Sequence, residues 1–185
     1  MVDSTLPAPA RQRRLQDLMR HRVRDVLLVS SLYDAYILQE DGHLTEQVYL
    51  EYRELRLSSA PRFAHASDAD AALRMLDERR FDLVLVVSRL RGMNERTFAG
   101  LVKERHPGVA VGLLAFDSSD YERLRRIREQ AAIDGVFAWS GDAKILLAAS
   151  KFIEDQRNID RDIEAADVRA ILVVEDSIRF YSSFL

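Results

Sequence analysis

Five short apolar runs, nearly unbroken by polar residues, recur along the chain, and stretches of helical spacing separate most of them. They are Val26-Leu27-Leu28-Val29, Phe63-Ala64-His65-Ala66, Leu83-Val84-Leu85-Val86-Val87, Val109 to Ala115, and Val136-Phe137-Ala138-Trp139. A strand with one wet face alternates polar and apolar residues, whereas a run without alternation suits a strand covered on both faces. Pro61, His106-Pro107-Gly108 and Asp134-Gly135 punctuate the chain before the second, fourth and fifth runs. Ser67 or Asp68 is placed to cap a helix with Ala71, Ala72, Met75 and Leu76 on one face. Phe98, Leu101 and Val102 mark the next helix, which should stop at His106-Pro107. Ser118 or Ser119 should cap a third, running through Leu124 and Ile127 to Ala131. Asp142 should cap a fourth, with Ile145, Leu146, Ala149 and Ile153 turned inward. Strand followed by helix, repeated in this way, specifies an α/β fold with a doubly wound, five-stranded parallel sheet. The crossover from Ser31 to Pro61 is long and holds Asp41-Gly42 in its middle. It reads as two helices, at about 34–40 and 45–53, or as one helix distorted at Gly42.

With 185 residues, 48% of them hydrophobic, the chain can bury a sizeable core and has room for one domain with an appendage. It has no cysteine, which excludes disulfides, cysteine-held metals and a thiol nucleophile. No apolar run approaches the roughly 20 residues of a membrane helix, and the first residues lack a signal-peptide core. A cytoplasmic protein with no membrane contact is therefore expected. Residues 1–10 read as a disordered tail. Arg11, Arg13, Arg14, Arg20, Arg22 and Arg24, with Leu15, Leu18 and Met19 at helical spacing, then read as a basic amphipathic helix. Residues 1–24 thus form a tail and a basic helix. That helix is either a patch for an acidic partner or a solvated lead into the first strand. A net charge of -3 and the want of a helix-turn-helix companion argue against nucleic acid. Walker A, GxGxxG, GxSxG and HExxH patterns are all missing, and His21, His43, His65 and His106 are scattered. The sequence implies neither an enzyme nor a cofactor.

The segment Phe81-Asp82-Leu83-Val84-Leu85-Val86-Val87-Ser88-Arg89-Leu90-Arg91-Gly92-Met93-Asn94 resembles the third strand and following loop of response-regulator receiver domains from two-component signalling. Asp134-Gly135, before the fifth run, is a second match, and the resemblance spans residues 25–158. It implies the flavodoxin-like strand order 2-1-3-4-5. In that family an aspartate ending strand three accepts phosphate and an acidic pair after strand one holds magnesium. A Ser/Thr after strand four and a Lys after strand five contact the phosphoryl group. The carboxylates and metal manage crowded negative charge during transfer, and the ammonium pairs with the product as a point charge.

At these positions the present chain has other chemistry. Ser30 and Ser31 take the acidic pair's place, Val87 the phosphoacceptor's, and Leu114 (Ala115 if the alignment shifts by one) the hydroxyl's. Trp139 replaces the lysine, Ser140 the proline after it, and Arg91 a proline in the loop after strand three. Lys103, Lys144 and Lys151 are the only lysines, and none ends a strand. Asp82 lies at the wrong end of strand three, and Asp34 and Asp117 read as helix-terminal acids. The resemblance therefore implies a pseudo-receiver whose cleft is plugged by Val87, Leu114 and Trp139, with no metal of its own. Ser30, Ser31, Ser88 and Ser140 gather at strand ends. They read as satisfying backbone groups rather than as a site for an anion or metabolite. The expected function is a phosphorylation-independent signalling module of a phosphorelay-type protein. It would dock a protein partner or a second copy through Tyr121, Arg125, Arg128, Phe137 and the 142–155 helix. A phosphorylatable receiver in another alignment, or a small-ligand-binding α/β domain, are the alternatives.

Past Asp142 the pattern overshoots the last helix of a receiver. Ile145, Ala149, Phe152, Gln156, Ile159 and Ile163 follow steps of four and three, a coiled-coil seam, so that 159–169 reads as helix extension or as charged linker. Val168 to Phe180 resembles the opening strand and helix of a second receiver. Residues 170–185 begin it, with Glu175 and Asp176 where a magnesium-binding pair belongs. Four strands of such a domain would lie past Leu185, so a fragment of a tandem-receiver protein is expected.

Overall fold

A computed structural model describes residues 18–31, 60–130, 132–139 and 144–166. The expectations for residues 1–17, the 32–59 crossover with Asp34, the Ser140 and Asp142 positions, and the second receiver with Glu175 and Asp176 lie outside the described residues. The strands are β1 (Asp25–Val29), β2 (Arg62–Ala66), β3 (Leu83–Val87), β4 (Ala110–Ala115) and β5 (Gly135–Ala138). The helices are α1 (Ala69–Glu78), α2 (Glu95–Arg105), α3 (Ser118–Gln130) and α4 (Lys144–Ala166). All strand pairings are parallel, in the order β2-β1-β3-β4-β5. This is the doubly wound sheet of flavodoxin-like order that the five apolar runs imply.

The described residues fall into two compact units, 23–153 and 18–22 with 154–166. In the first, strand alternation sorts side chains to two faces. Leu27, Val29, Val84, Val86, Val111, Leu113 and Val136 meet α1, α2 and α3 through Ala72, Leu76, Phe98, Val102 and Leu124. On the other face Val26, Leu28, Leu83, Leu85, Val87, Leu114, Phe137 and Trp139 meet Ile145, Leu146, Ala149 and Ile153 of α4. Phe137 lies where Cβ atoms on Gly112 and Gly135 would be, at 3.2 and 2.6 Å from its ring, so two glycines make its seat. Its ring meets Phe152 edge to face.

Local chemistry fixes the helix starts. Asp68 caps α1 by accepting from the Ala71 N–H at 2.8 Å. That bond, with one from the Ser67 hydroxyl, holds the Asp68 carboxyl below its ordinary pKa. Asn94 caps α2, accepting from the Thr97 N–H. At α3 the expected serine cap gives way to Asp117, whose carboxylate accepts from the Asp120 N–H at 2.8 Å; a charged acceptor suits the positive helix end better than a hydroxyl. Asp82 is structural, its Oδ2 accepting from the N–H groups of Arg24 and Asp25 where β1 begins.

One expectation is corrected near the chain's start. Residues 18–24, the end of the expected basic helix, are not helical. Met19 takes a positive φ of 55°, and its N–H and that of His21 are bonded to side chains instead of to a preceding turn. The last helix runs on through 159–166 to Ala166, in line with the extended C-terminal helix the sequence implies.

Candidate functional site

Ligands of open α/β sheets bind at the carboxyl ends of the strands, where the strand order reverses. That point lies here between β1 and β3; Val87 ends β3 beside it, and Leu114 on β4 and Trp139 after β5 lie on the same face, one and two strands further out. Val87 ends β3 in register with Leu114 of β4. Leu114 pairs in turn with Phe137, and Trp139 follows two residues later, its N–H bonded to Ala115 O. Val87, Leu114 and Trp139 belong to a single buried apolar cluster, with exposures of 2%, 0% and 4%. The Trp139 ring also stacks on half-exposed Phe116, centroids 5.8 Å apart. Its indole N–H is buried without a hydrogen-bond partner among the described residues.

Ser30 follows β1 and is buried. Its backbone N–H bonds Ala66 O, its hydroxyl donates to Ser31 O at 3.3 Å and lies 3.0 Å from His65 Nε2, and that nitrogen lies 3.1 Å from Ser30 O. Ser31 is half-buried. Among the described residues, Ser30, Ser31 and Ser88 do not make one site. Ser88, one residue past Val87, turns to the opposite face and donates its hydroxyl to Asp120. Of the expected docking residues, Arg125 and Arg128 are exposed and Tyr121 half-buried, but Phe137 is fully buried, held in its glycine seat, and cannot be offered to a partner.

A polar network that the sequence reading missed lies beside this region. Glu95, at the first turn of α2, accepts from the Arg89 N–H at 2.9 Å and from the Arg123 guanidinium at 3.0 and 3.4 Å. Arg123 also reaches Asp120 Oδ1 at 3.4 Å, and Asp120 receives the Ser88 hydroxyl. Burial pushes both carboxyls up. The Arg123 charge, with the Arg89 N–H at Glu95 and the Ser88 hydroxyl at Asp120, outweighs it, and both pKa values end below the ordinary range. Arg123 is held correspondingly above its own. The loop after β3, where Arg89 takes a φ of 69°, is thus tied to the start of α3 through one guanidinium. The sequence signal was faint. An acid after an Asn cap and an Arg one turn into α3 are each ordinary, and only the parallel pairing of β3 with β4 brings them together.

Among the described residues no three His, Asp or Glu side chains gather closely enough to hold a metal ion, and no helix is long and apolar enough to cross a membrane. Neither a protein-family model nor a curated protein matches the chain. Solved structures do. The signal receiver domain of an HD domain-containing protein from Pseudomonas fluorescens Pf-5 matches with a TM-score of 0.56 and 23% identity, over 76% of this chain and 93% of that one. A CheY-like receiver domain protein from Methanospirillum hungatei JF-1 matches with a TM-score of 0.55 and 14% identity, over 75% and 98%. A receiver domain protein from Clostridium thermocellum gives 0.52 and 16%, over 74% and 98%. At these identities the likeness is one of fold: the chain is built as receiver domains are.

Proposed function

We propose that a chain with this fold and this cleft is a pseudo-receiver: a cytoplasmic, non-enzymatic module of two-component or phosphorelay signalling that works by protein docking or self-association and is not switched by phosphate. The observation that supports the reading is the burial of Val87, Leu114 and Trp139 in one apolar cluster at the carboxyl end of the sheet. Phosphoryl transfer needs a nucleophile and cations where charge develops. The positions that would supply them carry a branched alkyl group, a second one and an indole. A dry plug of this kind has one packing, whereas a phosphate switch depends on two arrangements of similar energy. The Glu95–Arg123–Asp120–Ser88 network reinforces this by fixing the loops after β3 and β4 to each other.

Incubation with magnesium and acetyl phosphate, read by intact mass, tests the proposal. No added phosphate is expected. A stoichiometric gain of one phosphoryl group, mapped to an aspartate, would overturn it in favour of a working receiver.

A further inference from the structure

Two of the three large apolar side chains exposed among the described residues, Ile159 and Ile163 at 45% and 38%, lie on the outer half of α4. Between 155 and 164 the exposed residues of that helix are Asp155, Gln156, Ile159, Asp160, Ile163 and Glu164. They come as neighbouring pairs four apart, so at 3.6 residues per turn they form one continuous face. It holds two isoleucines, three carboxylates and no base. Arg157 and Arg161 are half-buried and fall outside it. Asp160 and Glu164 enter no ion pair among the described residues. The flank beyond the isoleucines is occupied. Asn158 exchanges two bonds with the His21 backbone, at 2.9 and 2.8 Å, and Asp162 accepts from the Met19 N–H at 3.0 Å.

The spacing gives Ile159 and Ile163 the d and a positions of a heptad. Asp155 then falls at g and Asp160 at e, the positions that choose a coiled-coil partner. In a parallel pair of α4 helices, g of one copy meets e of the other, and Asp155 would face Asp160. In an antiparallel pair g meets g and e meets e, which again sets aspartate against aspartate. Both arrangements juxtapose like charges, so charge selects against a second copy and for a basic occupant.

We propose that the 155–164 face of α4 docks a basic amphipathic helix of another protein. Its apolar residues cover Ile159 and Ile163, and its lysines or arginines reach the carboxylates of Asp155, Asp160 and Glu164. The inference rests on the docking function above and gives that function a surface and a partner chemistry.

The probe is a labelled peptide of about three heptads, with leucine at a and d and lysine at e and g, whose own charges keep it from self-pairing. A twin carries glutamate at e and g. Fluorescence anisotropy with the full chain at low ionic strength should show the lysine peptide bound about ten-fold more tightly than the twin. Ile159→Asp with Ile163→Asp should weaken its binding by about ten-fold or more. Asp160→Lys with Glu164→Lys should reverse the preference between the peptides. The emission of Trp139, the only tryptophan, confirms that each variant is folded. Equal binding of the two peptides, or a preference that the charge exchange leaves unchanged, would overturn the proposal. So would a sedimentation mass that rises with concentration in the unaltered chain and not in the isoleucine variant, which would give the face to a second copy. Acetyl phosphate treatment of the same samples separates this proposal from the reading it rests on. Peptide binding with phosphate uptake would support the surface and end the pseudo-receiver reading, and absence of both would overturn the surface alone.

Discussion

Replacing Val87 with aspartate restores the side chain that a phosphate-accepting receiver would carry, and the structure predicts damage instead of function. Val87 is 2% exposed and lies in a cluster of leucine, phenylalanine and tryptophan side chains. Losing its burial costs about 1.5–2 kcal/mol, and burying an uncompensated neutral carboxyl about 1–3 kcal/mol more. Val87→Asn shares this pH-independent part. Ionisation then adds a second part for aspartate alone. Its unfolded pKa is about 3.9 and burial raises the folded value, so between the two the native state holds more protons than the unfolded chain. Stability therefore falls as pH rises through that window, by about 1.4 kcal/mol per unit, and levels off above the folded pKa. With an upward shift of about 3 units, the total at pH 7 reaches about 6–9 kcal/mol, comparable with the whole stability of a typical domain at about 5–15 kcal/mol. Urea unfolding at pH 5, 6 and 7, followed by Trp139 fluorescence, gives the difference between the Asp and Asn variants at each pH. A difference that does not grow with pH would show the cleft to be hydrated or cation-bearing, and the argument from apolar packing would fail.

Other expectations can be checked with the same equipment. Arg123→Met should destabilise by about 1–3 kcal/mol near pH 7, a figure reduced because the guanidinium is 43% exposed. Glu95 and Asp120 have depressed folded pKa values, so their stabilising effect is present above their unfolded pKa values of about 4 and is lost as pH falls through the folded ones. The variant should accordingly show a shallower acid limb in stability against pH. Trp139, 4% exposed, should emit at short wavelength and resist iodide quenching, with a marked red shift on unfolding. Gly135→Ala should cost about 1–3 kcal/mol in urea melts, because the new methyl would meet the Phe137 ring at 2.6 Å. Asn158→Ala should lower protection of the 18–22 amides in hydrogen exchange, since it removes both bonds to His21.

The order of elements, the parallel sheet and the positions of Val87, Leu114 and Trp139 at its carboxyl end were legible in the chain itself. Strands buried on both faces must be written as apolar runs, and helices between them as amphipathic ones. The runs at 83–87 and 136–139 match β3 and β5 to within a residue. Only the tertiary structure decided which side of the sheet each tip residue serves. A one-residue step reverses the face, so Val87 joins the apolar plug while Ser88 turns to Asp120. Asp120, Arg123 and Glu95 become partners only once the strands pair, and Met19 and His21 give up a helix because their N–H groups find Asp162 and Asn158 far along the chain. Periodicity is a local property that the backbone imposes turn by turn. The pairing of buried charges and the choice between helix and docked segment are settled by long-range contacts, which leave little mark on neighbouring residues.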